Sequence, residues 1–122
     1  MSGKSPTIEK RDGVTCIVLG EEFANLDEQL LDTIRDTMLD TAESADPPCV
    51  LIDLSRTRFF GSSFIEVLFR IWNKINGTPG GRFALVGLTD YCQEVLSVTH
   101  LDKLWTVYAT LEDGVAAIAS EQ

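Results

Sequence analysis

The sequence predicts a single α/β domain whose sheet is mostly parallel, with an antiparallel strand on its N-terminal side. Short β-branched runs alternate with longer amphipathic segments in the order β-β-α-β-α-β-α-β-α. Strands that alternate with helices in this way pair in parallel through right-handed crossovers. The length of 122 residues suits one hydrophobic core. We therefore expect one domain over residues 1–122, with residues 1–5 and 120–122 flexible.

The first two strands are predicted as a hairpin. A short strand is expected around residues 6–10, and the turn falls on Asp12-Gly13. The run VTCIVLG at 14–20 is rich in β-branched residues and forms the second strand. A tight turn between two strands makes them antiparallel neighbours.

The segment after the hairpin predicts an acidic amphipathic helix. Asn25 is expected as its N-cap, with Glu28 three residues later in a capping-box arrangement. Pro47 and Pro48 prevent the helix from continuing. The inner face repeats every four residues, at Leu26, Leu30, Ile34 and Met38. The outer face is acidic, at Glu28, Asp32, Asp36, Asp40 and Glu43.

A buried strand and a second helix follow. The run CVLIDL at 49–54 is typical of a strand covered on both faces. The segment SSFIEVLFRIWNKIN predicts a helix, and Ser63 with Glu66 is its expected capping box. The expected core stripe is Phe64, Val67, Leu68, Ile71 and Ile75. A shoulder of Ile65, Phe69 and Trp72 widens the apolar arc beyond that of an ordinary surface helix.

The last third of the chain predicts two more strands and two more helices. The strands are expected at 82–88 and 105–108. The third helix is expected to begin at Thr89-Asp90, and Thr110 to Asp113 should cap the fourth. The inward residues are expected to be Tyr91, Val95, Leu96 and Val98 in the third helix, with Cys92 also packing, and Val115, Ala116, Ile118 and Ala119 in the fourth.

Composition excludes several classes of function. Ten basic residues stand against 19 acidic ones, so the net charge of −9 disfavours nucleic acid and anionic membrane surfaces as partners. Residues 21–46 hold nine acids and only Arg35, a net charge of −8, whereas residues 47–82 are mildly basic at +3. The N-terminus has no apolar signal core, and no apolar run is long enough to span a bilayer. The three cysteines show no metal-ligand spacing, which indicates reduced thiols in a cytoplasmic protein.

The sequence offers no catalytic machinery. Neither phosphate-binding glycine fingerprint occurs, which argues against a nucleotide enzyme. Ser62 and Ser63 lack the G-x-S-x-G form of a nucleophile elbow, and the single His100 is remote in sequence. Asp53 is expected to end its strand by accepting backbone N–H groups. We therefore expect no enzymatic activity, no metal and no cofactor.

The start of the second helix is the most informative junction. A serine there can cap the helix, and it is also well placed for phosphorylation, because the helix dipole and free N–H groups favour negative charge. Arg56, Arg58 and Arg82 lie nearby in sequence or on the adjacent strand and are expected to screen a phosphate.

Two stretches resemble a known family. VLIDLSRTRFFGSSFIEVLFRIWNKI is similar to the signature of STAS domains, the anti-sigma factor antagonist fold. The tail FALVGLTDYCQEVLSVTHLDKLWTVYATLEDGVAAI is similar to the family's C-terminal half. The resemblance implies a superhelix of strand and helix units with the helices largely on one face.

The resemblance also implies a mechanism. Family members of the antagonist type bind an anti-sigma factor that is also a serine kinase, which phosphorylates the second of two serines, and a phosphatase resets the complex. That serine falls on Ser63, with Ser62 the less favoured position. Under this hypothesis the expected partner-binding residues are Asn25, Asp27, Asp53, Gly61, Ser62 and Phe64. The uneven charge distribution favours contact at the border of Asp27 and Ser63. The shoulder of the second helix is a possible docking patch, and the protein is expected to be a monomer or weak dimer.

Three departures keep other functions open. Gly61 stands where the family has an acid, and Phe64 and Glu66 stand where it has glycines. Phe64 is expected to add bulk where a partner approaches. The main alternative is a STAS scaffold or transporter-accessory subunit that is never phosphorylated. A small-ligand or nucleotide sensor is the third possibility.

Overall fold

The computed structural model describes residues 5–120. The flexibility predicted for residues 1–4 and 121–122 lies outside this part of the chain. The described strands are β1 (Thr7–Arg11), β2 (Val14–Val18), β3 (Asn25–Leu26), β4 (Cys49–Asp53), β5 (Phe59–Phe60), β6 (Arg82–Val86) and β7 (Thr106–Tyr108). The helices are α1 (Glu28–Glu43), α2 (Ser62–Asn76), α3 (Asp90–Val98) and α4 (Leu111–Ser120), with 3₁₀ turns at Glu21–Phe23 and Leu101–Lys103.

Five strands form the main sheet in the order β1-β2-β4-β6-β7. β1 pairs with β2 in the antiparallel sense, and β2, β4, β6 and β7 are parallel to one another. The predicted α/β class and the mostly parallel sheet are thereby confirmed. A second sheet of two short parallel strands, β3 and β5, was not predicted from the sequence.

The two faces of the sheet are covered unequally. Val50 and Ile52 of β4 face a large core shared with α1, α2 and α3. Cys49 and Leu51 face the opposite side, where α4 supplies Val115 and Ile118. β4 is therefore buried on both faces, as its unbroken apolar run predicts. Three of the four helices lie on one face, as expected.

The helix faces follow the predicted periodicity in α2 but not in α3. All five residues of the α2 core stripe are buried. Its shoulder is half-buried against the core, and Phe69 makes an edge-to-face contact with Trp105 at a ring-centroid distance of 5.3 Å. In α3, Tyr91 and Val98 are 48% and 71% exposed, so their predicted inward position is wrong. Cys92 and Leu96 are buried in the core, and half-buried Val95 packs against it as predicted.

In α4, Val115 and Ile118 are buried as predicted, whereas Ala116 is exposed. Gly114 takes the inner position instead. A Cβ at Gly114 would lie 3.0 Å from Leu51 Cδ1, so the helix sits close to β4 at this point.

Candidate functional site

The candidate site lies at the carboxyl edge of the parallel strands, where β4 ends and the chain runs to α2. The Asp53 Oδ1 atom accepts a hydrogen bond from the Ser55 backbone N–H at 2.9 Å. This is the strand-end role that the sequence predicts for the carboxylate. Asp53 is only 9% exposed, so little of it is available to a partner.

The start of α2 differs from its prediction. Gly61 is the N-cap, with an extended backbone at φ −103° and ψ −174°, and no side chain caps this helix. Ser63 therefore lies inside the first turn, and the predicted capping box of Ser63 and Glu66 is wrong. The helix begins two residues earlier than a Ser63 cap would require. Its first turn carries no acidic residue, so the positive end of the helix dipole is not neutralised within it.

The start of α1 is capped by a different residue from the one predicted. The Asp27 Oδ1 atom accepts from the Leu30 N–H at 2.8 Å, which makes Asp27 the N-cap. Asn25, the predicted cap, lies in β3. The cause is the pairing of β3 with β5, which holds Asn25 in an extended strand two residues before the N-cap.

This small sheet brings the two helix starts together. Asn25 lies opposite Phe59, and Leu26 lies opposite Phe60. Continuing this parallel register by one residue sets Asp27 level with Gly61, so the two N-caps are neighbours. Exposed Asp27 and exposed Ser62 with half-buried Ser63 therefore follow the two paired strands at the same end of this sheet.

Phe64 does not lie on this surface. Its side chain is fully buried, and its ring centroid lies 5.2 Å from that of Phe60. The expectation that Phe64 presents bulk to an approaching partner is wrong, because the first inward position of α2 falls on it. The residue instead fixes α2 against β5.

The basic residues near the site are differently placed from their prediction. Arg56 Nη1 binds Glu21 Oε1 at 2.7 Å. Arg58 is exposed, and it lines a cleft of about 450 Å³ with Glu21, Ser55 and Arg56. Arg82 begins β6 opposite Cys49, at the amino edge of the sheet, so its predicted role in screening a phosphate is wrong. Arg56 and Arg58 remain at the carboxyl edge.

The β4–α2 connection is also tied to α3. The Thr57 carbonyl accepts from Thr89 Oγ1 at 3.4 Å and from Cys92 Sγ at 3.6 Å. Burial raises the pKa of the Cys92 thiol, and the hydrogen bond from Thr89 opposes that shift. Thr89 is the predicted N-cap of α3, with its side chain accepting from the Cys92 N–H. Sequence reasoning missed Thr57, because nothing in the local sequence indicates that its carbonyl accepts hydrogen bonds from both Thr89 and Cys92.

The junction presents two serines at a helix start that has no side-chain cap, with Asp27 at the start of α1. Arg56 and Arg58 lie on the connection between β4 and β5. Exposed His100 lies in the loop after α3, in the left-handed region at φ 63°. None of the helices within residues 5–120 has the length and apolar character needed to cross a membrane.

Comparison with known proteins places this geometry in context. The family model of the STAS domain matches residues 5–114. A solved anti-sigma-factor antagonist (STAS) domain protein from Planctomyces limnophilus is 40% identical, with a TM-score of 0.91, and the match covers 95% of this chain and 99% of that one. No curated protein matches the chain significantly.

More distant structures share the fold. An anti-sigma factor antagonist from Mycobacterium paratuberculosis is 24% identical, with a TM-score of 0.78 and coverage of 93% of this chain and 92% of that one. The Bacillus cell fate determinant SpoIIAA in its phosphorylated form is 20% identical, with a TM-score of 0.67 and coverage of 93% and 98%.

Proposed function

We propose that this chain, which belongs to the STAS domain family, is an anti-sigma factor antagonist that binds an anti-sigma factor with serine kinase activity. The observation that carries the proposal is the start of α2, where Ser62 and Ser63 occupy a first turn without a side-chain cap and the paired strands β3 and β5 lead into both α1 and α2. A relative that is 40% identical over nearly the whole chain is described as an anti-sigma-factor antagonist domain protein. The chain itself is proposed to be a cytoplasmic binding module without enzymatic activity or cofactor.

The switch is phosphorylation of Ser63 by the bound kinase. A phosphoserine adds about −1.5 to −2 charges at neutral pH. The first turn of α2 has no acid of its own and offers N–H groups without an intrahelical acceptor, so it tolerates that charge. The phosphorylated form of the Bacillus neighbour supports the same chemistry here.

The consequence of phosphorylation is loss of the partner. Asp27 caps the adjacent helix start, so a phosphate at Ser63 places a second negative charge on the same small surface. A partner whose charges complement the unmodified surface then meets excess negative charge, and its affinity falls. The contact surface comprises Asn25, Asp27, Gly61 and Ser62, and a serine phosphatase restores binding.

The test uses a purified anti-sigma factor with serine kinase activity from the same organism as this chain. Incubation with that kinase and ATP is expected to add one phosphate, located on Ser63 by mass spectrometry and absent in Ser63→Ala. Ser63→Asp should weaken kinase binding by about tenfold or more. Ser120→Asp, with the same change of charge at the end of α4, is the matched control and should bind normally. No phosphate on the wild-type chain, together with full affinity of Ser63→Asp, would refute the switch.

A second candidate is a STAS scaffold or transporter-accessory subunit that is not phosphorylated. It is favoured by Gly61, which stands where the resembled family has an acid beside the serines. Stable large homo-oligomers in size-exclusion chromatography, or a complex with a transporter ATPase in the absence of phosphate, would support this function over the first. The first predicts a monomer or weak dimer.

A further inference from the structure

Helix α3 carries two apolar stripes. The core buries the first fully and touches the second only through half-buried Val95. Cys92 and Leu96 are fully buried. Tyr91, Val95 and Val98 recur at i, i+4 and i+7, which places them on one face beside the buried stripe. Tyr91 and Val98 are 48% and 71% exposed, and the three residues line a groove of about 340 Å³.

An aromatic contact extends this face to the start of α2. Phe59 is 42% exposed, and its ring centroid lies 5.7 Å from that of Tyr91. Phe59 also precedes Gly61 by two residues. We call the continuous surface of Phe59, Tyr91, Val95 and Val98 the α3 strip. Single exposed apolar residues are ordinary, whereas a contiguous row at helical spacing is typical of a surface that another protein covers.

The charges beside the strip indicate what covers it. Helix α3 holds Asp90 and Glu94, both exposed, and no lysine or arginine. Glu94 also lines the groove. A second copy of this chain would bring identical acids together, and each copy already carries a net charge of −9. A segment with apolar residues flanked by lysine or arginine is complementary in both shape and charge.

We propose that the α3 strip is a docking groove for a basic amphipathic helix of a partner protein. Such a helix presents apolar side chains at i, i+3/i+4 and i+7, which is the spacing of Tyr91, Val95 and Val98. Its flanking cations face Asp90 and Glu94. The groove is a separate site from the proposed phosphorylation site. It binds the partner's helix whether or not Ser63 is phosphorylated.

The probe is a synthetic helical peptide with leucines along one face and lysines on both flanks, titrated into the full chain labelled for NMR. We expect amide shifts at Phe59 and across residues 91–98. A peptide with glutamates in place of the lysines should bind about tenfold more weakly or worse. Since the probe contains no kinase, this result is independent of the test on Ser63.

Variants separate the groove from general electrostatic attraction. Val98→Ser should reduce peptide affinity about tenfold, because the most exposed apolar side chain of the strip is lost. Leu104→Ser is the matched control: Leu104 is 47% exposed, yet it does not line the groove, so affinity should not change. Circular dichroism verifies that both variants fold. Amide shifts confined to the acidic face of α1 would overturn the proposal. So would equal affinity for the glutamate and lysine peptides. A wild-type dimer that Val98→Ser dissociates would also overturn it, because the strip would then bind a second copy of the chain.

Discussion

At the scale of single residues, Gly87 shows how tightly the carboxyl edge of the sheet is packed. It has a φ of +71°, and a Cβ built on it would lie 2.7 Å from Ser55 Cβ. Ser55 cannot easily retreat, because its N–H is bound by Asp53 and it follows the buried end of β4. The ends of β4 and β6 therefore approach as closely as they do only because position 87 has no side chain.

Gly87→Ala is expected to destabilise the fold by about 2–4 kcal/mol, combining left-handed strain with a clash against Ser55. Gly80→Ala is the matched control, since Gly80 has a φ of +78° but no atom within 4 Å of a built Cβ. It should cost about 1 kcal/mol. Urea unfolding measures both. Equal losses, or no recovery in the Gly87→Ala, Ser55→Gly double variant, would show that the contact does not matter.

Cys16 makes the free energy of unfolding depend on pH in the alkaline range. Burial raises the pKa of its thiol from 9.0 to about 11, although Arg11 opposes the shift. The folded state thus holds the proton more tightly than the unfolded state. The resulting stability is complete below about pH 9 and is lost as the pH rises toward 11. The loss should reach about 2–3 kcal/mol.

The free energy of unfolding is measured for the wild type and for Cys16→Ala between pH 8 and pH 11. This range spans the shift in the pKa of the Cys16 thiol. The variant is expected to be less stable at every pH because it leaves a cavity. Its further decline with pH should be smaller than that of the wild type, and the remainder reflects Cys92, whose pKa is raised in the same direction. Parallel curves for the two proteins would contradict the assignment to Cys16.

At the scale of secondary-structure elements, the structure assigns the cap of α1 to Asp27. Asp27→Ala should destabilise the protein by about 1 kcal/mol, because the Leu30 N–H loses its acceptor. Asn25→Ala, at the position that sequence reasoning favoured, should change stability by less than about 0.5 kcal/mol, as expected for a surface site. Thermal unfolding at neutral pH compares the two. A larger loss of stability for Asn25→Ala than for Asp27→Ala would identify Asn25 as the N-cap of α1.

Helices and strands could be predicted from the sequence where the spacing of their own apolar residues determines which face is buried. The α2 stripe was correct to the residue, since five apolar positions repeat at helical spacing. The start of the same helix was not, because Gly61 and Ser63 are both acceptable caps and only the chain path from β5 decides between them. β3 and β5 are two residues long and have no periodicity to detect.

The candidate site shows the same division. Local sequence placed Ser62 and Ser63 at the start of α2, and contact at the border with Asp27 stays a prediction. The burial of Phe64 and the remote position of Arg82 depend instead on packing and strand register. The inward face of α3 was mispredicted for a related reason. Its apolar residues suit two adjacent stripes, and the sequence alone does not say which one the core takes.

At the scale of the whole molecule, negative charge is concentrated on one side. The five predicted outer acids of α1 are all exposed. The only base in residues 21–46, Arg35, is bound to Asp32 at 2.6 Å. A face of this kind raises the rate at which a cationic partner arrives, and the effect weakens with salt. Within the folded chain, however, the carboxylates of this face repel one another.

That repulsion is strongest along one row of α1, where Glu28, Asp32, Asp36 and Asp40 follow at intervals of four. Like charges at this spacing destabilise a helix by about 0.2–0.5 kcal/mol per pair, and opposite charges stabilise it by a similar amount. Asp36→Lys replaces two repulsions by two attractions, so it should raise the unfolding free energy by about 1 kcal/mol at low salt.

Asp36→Gln separates charge from helix propensity, because glutamine and lysine favour helices almost equally. Removal of the repulsion alone should give about half the electrostatic gain. The advantage of Asp36→Lys over Asp36→Gln should largely disappear in about 1 M NaCl, where the screening length falls to about 3 Å. An advantage unchanged by salt would mean that the row does not repel itself in the folded protein. The concentration of charge on α1 would then influence only the approach of partners.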